Sequence, residues 1–306
     1  HRDLHSFPTR RSSDLVLHPG KKTAWGMKCG REYTEPHIKR WRESAPRKRF
    51  DEAMKTLFWV PQGPSSRKGI TLAVPNTLYN VEYLPLWHNF LTSLGFTVST
   101  PSSSRKSLAV GKGIVNSDFC APMVLAHGCL QESTKCDFLF FPALVNEKDP
   151  DGPGKECFAQ KSNDAYFCYY SQYLPTLWEM SSPEEGKKLI SPLIYFNHKT
   201  PEQIAGDIHA EMKKTFPDLE RDEVGRCFSN AYEEFLRAKK EWARAYERSL
   251  QAEGAGEKIR VVLLGRPYVV LDPVLSLHIP QKIEEMGAEV FWQDEFEIEK
   301  IGRAHV

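Results

Sequence analysis

The chain is predicted to be an α/β protein, with a parallel-sheet, Rossmann- or flavodoxin-like domain followed by the start of a second, truncated α/β domain. Three observations lead there. From Gly69 onward, short apolar runs alternate with segments whose apolar residues recur at three- and four-residue spacing. Strands alternating with helices are the pattern of a parallel sheet covered by crossover helices. A second strand–helix–strand pattern restarts after Gly254 and Gly256, which end a long helical stretch.

The elements follow in chain order. Residues 70–74 (Ile-Thr-Leu-Ala-Val) are a first apolar strand. A helix over 83–94 sets Leu84, Trp87, His88, Leu91 and Leu94 on one side and stops at Gly95. Residues 96–99 are the next strand, 113–116 a weak third strand and 122–132 its helix. Buried strands are expected at 137–141 and 193–196, and helices at 201–214 and 224–253. The long helix carries Phe228, Tyr232, Phe235, Trp242 and Tyr246 along one side, a stripe that fits packing better than a cofactor. Beyond it come a strand at 259–264, a helix at 273–286 and a strand at 288–292. The boundary falls near residue 255, giving a first domain over 69–255 and the start of a second over 256–300.

Both ends read as artefact. Residues 1–15 lack an apolar face, a signal-peptide core and an initiating methionine, and they back-translate without a gap to a sequencing adapter. Residues 301–306 back-translate to the reverse complement of the same adapter. The expectation is adapter read-through on an open gene fragment, and such scars are set aside in fold reasoning.

Composition bounds the rest. A hydrophobic content of 41% supports a core, and the mean hydropathy of −0.48 has no run approaching the ~18 apolar residues of a membrane span. Net charge is +1, from 41 basic and 40 acidic residues, so no polyanionic partner is implied globally. Seven cysteines, an odd and sparse set, exclude a secreted disulfide scaffold and fit reduced thiols in the cytoplasm. Residues 16–68 are a connector whose 21–68 stretch holds thirteen Lys/Arg against five Asp/Glu. Without stacking aromatics on a recognisable motif, it reads as a solvated segment docking on a neighbour rather than a nucleic-acid stripe.

In an open parallel sheet, ligands bind beyond the carboxyl ends of the strands. Four unusual stretches fall there: Pro75-Asn76, Ser117 to Cys120, Pro142 to Glu147, and Gly265-Arg266-Pro267-Tyr268. Cys168 lies in an irregular stretch, 148–172, that can fold over the same edge. Two α/β domains with these edges facing would enclose a cleft. Cys120 stands two residues before Pro122, a residue suited to opening a helix. The amide groups and positive dipole end of that helix would favour a thiolate, the form that binds metal or attacks. A small buried hydrophobe beside a turn is the other reading, and the local pattern supports both equally. Cys129, Cys136 and Cys227 sit on helical patterns and read as packing, whereas Cys157 lies in a Gly/Pro-rich loop. Cys29, in Gly-Met-Lys-Cys-Gly-Arg, looks like a metal-knuckle turn with no second cysteine near it. His88, His127 and His278 have no mutual metal-site spacing, and no C-x-x-C pair, P-loop or G-x-G-x-x-G occurs.

Several stretches together carry a resemblance. They are 70–75, Leu84-Pro85-Leu86-Trp87-His88 to Gly95-Phe96, Ser117-Asp118-Phe119-Cys120-Ala121-Pro122 with His127-Gly128, and 137–142. Phe167-Cys168-Tyr169-Tyr170-Ser171-Gln172-Tyr173-Leu174-Pro175 and Leu264-Gly265-Arg266-Pro267-Tyr268 with His278-Ile279-Pro280 complete them. The chain resembles the C-terminal region of the acyl-CoA dehydratase activase-related proteins, relatives of the 2-hydroxyacyl-CoA (2-hydroxyglutaryl-CoA) dehydratase subunits and their ATP-dependent activators. The resemblance implies stacked α/β domains around a [4Fe–4S] cluster held by three cysteines, of which Cys120 and Cys168 would be two and the third would lie past residue 300. Cys29 matches the last cysteine of an N-terminal group in that family. Arg266 or Tyr268 could meet an anionic ligand, and an acyl-CoA substrate and an activase domain or subunit would be the partners. ATP would enter only through activase domains that have no counterpart in this sequence. Ala143 and Val145-Asn146-Glu147 depart from the family's usual Pro-Cys-x-x-Tyr-Glu, and the Tyr-rich context after Cys168 replaces a more usual Pro. Two other functions remain beside this one: a non-catalytic α/β binding or scaffold module with structural cysteines, and a zinc site involving Cys29.

Overall fold

The computed structural model describes residues 15–18, 21–24, 43–57, 67, 69–147, 166–252 and 259–295. Two compact units divide the chain, residues 1–42 and 43–306. In the first, β1 (Leu15–His18) and β2 (Lys21–Ala24) pair antiparallel, with Leu15 opposite Ala24 and His18 opposite Lys21. The hairpin falls largely in the stretch read as a connector, and the Pro19-Gly20 dipeptide between its arms is a turn sequence.

The second unit is built on four parallel strands: β3 (Thr71–Ala73), β4 (Thr97–Ser99), β5 (Phe138–Phe140) and β7 (Leu189–Ile190), in the order β4-β3-β5-β7. Strand β6 (Ala143–Asn146) pairs in parallel with β8 (Leu193–Tyr195). These two pairs share one register: Leu139 faces Leu189, Phe140 faces Ile190, Ala143 faces Leu193 and Leu144 faces Ile194. That register sets Pro142 opposite Pro192, and neither has an N–H to give to a ladder. Backbone bonds flank the break, Phe141 N to Ile190 O at 3.0 Å and Ala143 N to Pro192 O at 2.9 Å. The strand expected at 193–196 is therefore present, and the turn-like stretch after Pro142 is its partner.

Alternation along the strands divides the core. Leu72, Val74 and Phe140 join one apolar cluster with Trp87, Phe90 and Phe228, while Ala73, Leu139 and Phe141 join another with Met123, Leu174 and Trp178. On the first face lie α2 (Asn80–Ser93), α7 (Pro201–Met212) and the long α8 (Arg221–Ala252). The aromatic stripe of α8 is packing, as expected, from Phe228 to Trp242: Phe228 stacks on Trp87 at 6.2 Å, and Tyr232 stacks on Phe196 at 5.5 Å. The Tyr246 side chain lies outside the described residues. Gly95, with φ of 90°, ends α2 as the sequence indicates.

On the second face, α3 (Arg105–Ile114), α4 (Ala121–Ser133) and α5 (Tyr169–Ser181) are followed by the short α6 (Pro183–Gly186). The strand expected at 113–116 is overturned, because these residues end α3 and its exit. Ser104 and Ser107 cap the helix reciprocally, at 3.1 and 3.0 Å. Nor is the whole of 148–172 irregular: α5 opens directly after Cys168, with Pro175 inside it.

A third parallel pair, β9 (Arg260–Leu263) and β10 (Glu289–Trp292), carries α9 (Pro267–Val270) and α10 (Ile279–Glu285) between its strands. The helix expected at 273–286 is shortened to α10. Asp272 Oδ1 accepts from the Val274 and Leu275 amides at 2.7 and 2.9 Å, and Leu277 and His278 take left-handed φ of 52° and 58°. Helix α1 (Ala45–Leu57), read as part of a connector, docks onto this pair. Its Phe50 meets Trp292 edge-on at 5.6 Å, and Arg49 holds Glu295 at 2.7 Å and Val290 O at 2.7 Å.

Candidate functional site

The order β4-β3-β5-β7 reverses direction at β3, so the crevice beyond β3 and β5 is the sheet's topological switch point. The loop after β3 carries Tyr79, whose ring packs on Phe167 at 4.0 Å and meets Tyr268 edge-on at 4.9 Å. Phe167 precedes Cys168, and Tyr268 follows β9. The carboxyl edges of β3 and β9 thus face each other across Tyr79 and Tyr268.

Three of the five residues singled out by sequence come together here: Cys168, Arg266 and Tyr268. Arg266 Nη1 donates to the Tyr268 hydroxyl at 3.0 Å. Desolvation lowers the Arg266 pKa, but ionisable Tyr268, Tyr79 and Cys168 beside it outweigh that and the net is a rise. Burial pushes both phenols up; Tyr268 raises Tyr79 further, whereas the hydrogen bond from Tyr79 lowers Tyr268, and Arg266 lowers both. Tyr79 and Tyr268 are therefore neutral donors at ordinary pH, and Arg266 is the fixed positive charge of the group.

Cys120 reaches the same edge by another route. It is exposed and occupies the N-cap position of α4, with φ −62° and ψ 154°, and Pro122 stands in the first turn as anticipated. The segment before it is the exit of α3, not a buried strand. Cys168, half-buried, is the N-cap of α5. Neither sulfur makes a cap hydrogen bond, so the first-turn amides of both helices have no side-chain cap. Helices α4 and α5 pack together, and the Phe119 ring, one residue before Cys120, meets Tyr170, two residues after Cys168, at 5.8 Å. Phe119 also stacks on His127 at 5.7 Å. His127 is fully buried; its Nδ1–H donates to Met123 O at 2.8 Å, and its Nε2 has no partner among the described residues.

Cys29 and Cys157 lie outside the described residues. Cys129 is buried, and burial pushes its thiol up to about 12, as befits a packing sulfur. Among the described residues, no three His, Cys, Asp or Glu side chains gather as a metal-binding group. Thiols are of the chemical kind that soft metals take as ligands. Sequence reasoning missed Tyr79. The signal was present in its place, three residues beyond the flagged Pro75-Asn76 and in the same loop.

Among the described residues, no helix is long and apolar enough to cross a membrane. A family model described as the CoA enzyme activase uncharacterised domain (DUF2229) matches residues 71–296. No curated protein and no solved structure matches the chain.

Proposed function

The chain belongs to the CoA enzyme activase family by a match over residues 71–296, and from that premise we propose that it is an iron–sulfur electron-transfer or dehydratase-like component in the ATP-dependent activation of 2-hydroxyacyl-CoA dehydratases. Membership associates the chain with the activation of CoA-dependent enzymes; the cluster, the electron and the 2-hydroxyacyl-CoA are the proposal. The observation that carries it is the convergence of α4 and α5, each opening on a cysteine, through the Phe119–Tyr170 contact at 5.8 Å.

In this reading Cys120 and Cys168 would hold a [4Fe–4S] cluster, which supplies one-electron transfer when bound. The chain's own residues do the rest. Both sulfurs stand at helix N-termini whose first-turn amides have no side-chain cap. Arg266 gives the Cys168 side of the crevice a positive charge that would meet an anionic ligand. Tyr79 and Tyr268, kept protonated by burial, offer hydroxyl donors without adding charge. The partners are an ATP-dependent activase domain or subunit and a CoA-dependent dehydratase.

The test is anaerobic preparation of the protein with iron and sulfide analysis, visible spectroscopy and low-temperature EPR. The expected result is a brown protein whose iron and sulfide fall sharply in Cys120→Ala and in Cys168→Ala. A colourless anaerobic preparation that Cys120→Ala leaves unchanged would sink the proposal. The alternative reading is a binding or scaffold module of a larger activase, with structural cysteines. The same metal analysis separates the two, and zinc without sulfide would point instead to a site using Cys29.

A further inference from the structure

A cavity of about 330 Å³ lies between α1 and the carboxyl ends of β3 and β4, apart from the cysteine crevice. That is the low end of ligand-pocket sizes, room for roughly eleven waters at ~30 Å³ each and too small for a nucleotide-bearing coenzyme. On the sheet side it is lined by Asn76, Thr100 and Ser102, an amide and two hydroxyls at strand ends that are bridged as Asn76 to Ser102. The Asn76 Oδ1 is buried and has no hydrogen-bond partner among the described residues.

The α1 side supplies charge of both signs. Arg47, Lys48 and Lys55 line the cavity together with Glu43, Asp51 and Glu52, so the lining is neutral as a set. Arg47 and Asp51 neutralise each other at 2.7 Å. Lys48, Glu52 and Lys55 alternate in sign at i, i+4 and i, i+7, a spacing that permits ion pairs on a helix. Yet no ion pair joins them among the described residues. Met54 and Val81 give the cavity an apolar wall.

We propose that this cavity is a binding site for a free α-amino acid with an aliphatic or thioether side chain. Its carboxylate would meet Lys48 or Lys55, its ammonium Glu52, and its side chain the Met54–Val81 wall. A ligand of one sign would be repelled by as many lining charges as attract it, whereas a zwitterion is matched at both ends. The site uses none of the residues on which the cluster proposal rests, so either can fail without the other.

The test is isothermal titration of the full chain with L-leucine and L-methionine, beside 4-methylpentanoate, isopentylamine and sorbitol. Saturable binding of the amino acids at millimolar Kd or tighter is expected, with both single-charge analogues at least about tenfold weaker. Lys48 and Glu52 are exposed, so Lys48→Gln and Glu52→Gln should leave the fold intact. Each is expected to weaken binding by about three- to tenfold. Three results would overturn the assignment: no saturable heat with either amino acid, a single-charge analogue or sorbitol binding as tightly, or indifference to both Lys48→Gln and Glu52→Gln.

Discussion

Replacing Gly128 with alanine should cost this protein more than its helix propensity returns. A Cβ at Gly128 would stand 1.8 Å from Ser107 O, 2.6 Å from Ser107 C and 2.9 Å from Gly111 N. All three are backbone atoms of α3, so no side chain can rotate away. The reciprocal position is as tight, because a Cβ at Gly111 would stand 1.8 Å from Val124 O. Restoring an ordinary contact near 3.4 Å means opening the α3–α4 interface locally by about 1.6 Å. That movement would strain the bond from Ser107 Oγ to Glu132 Oε2, 2.5 Å long, and strip dispersion contacts from the helix pair. Overpacking of this kind costs about 1–3 kcal/mol and more when backbone must shift, against about 1 kcal/mol gained from replacing a mid-helix glycine. A net loss of about 2 kcal/mol is expected, read as a lower urea midpoint with an unchanged slope. Gly225, inside α8 with nothing within 4 Å of its would-be Cβ, is the control. There Gly225→Ala should stabilise by about 0.5–1 kcal/mol. Gly128→Ala at or above the wild-type midpoint, or both variants falling equally, would refute the reasoning.

Further outcomes are expected from the same titrations. Cys120→Ser should raise stability by about 0.5–1 kcal/mol, because a hydroxyl can accept from the Met123 amide where the sulfur does not. Its metal content is measured in parallel. Arg67, 8% exposed, donates to Glu223 at 2.9 Å, Asp218 at 3.3 Å and Leu94 O at 2.8 Å, so Arg67→Met should cost about 2 kcal/mol by leaving Glu223 unpaired. Burial holds His127 below its ordinary 6.5, so the unfolded chain takes up the proton first as pH falls. That contribution to stability is complete above the unfolded value and is lost as pH falls through it toward the folded one. The drop in urea midpoint between pH ~7.5 and ~5.5 should shrink in His127→Phe; an unchanged drop would place the pH dependence elsewhere.

The strand–helix alternation was legible because apolar runs and three- and four-residue spacings are local. Leu72 and Val74 against Ala73 divide the two core clusters as simple period-two alternation requires. What escaped the sequence was decided by contacts between segments. Residues 113–116 were expected as a strand, and the close backbone of α4 explains why Gly111 sits in a helix there. Pro142 and Pro192 looked like ends of strands, and they interrupt one continuous register because they face each other. Helix α1 looked like a solvated basic segment, yet Phe50 and Arg49 find their partners some 240 residues away on β10 and Glu295. Pairings at that separation leave no periodic trace. Tyr79 escaped for the same reason, since its significance comes from Tyr268 on another strand pair.

The two cysteines at the site differ from the rest in a way that packing does not explain. Two helices elsewhere are capped by side chains, Ser104 with Ser107 on α3 and Thr200 with Gln203 on α7 at 3.3 and 2.9 Å, while α2, α6, α9 and α10 open without one. The chain buries sulfur where sulfur serves as a hydrophobe, as at Cys129, 1% exposed. Cys120 does neither, being exposed and making no cap bond. Cys168 is half-buried, and its α5 opens without a side-chain cap as well. A serine at either position would keep the size and add a competent acceptor for the helix amides. Sulfur there forgoes about a kilocalorie of capping for no gain in burial at Cys120, and that choice has a physical reason if the thiolates themselves are used. If Cys120→Ser proves more stable while metal content is unchanged, that reason disappears, and the sulfur has no role that this structure explains.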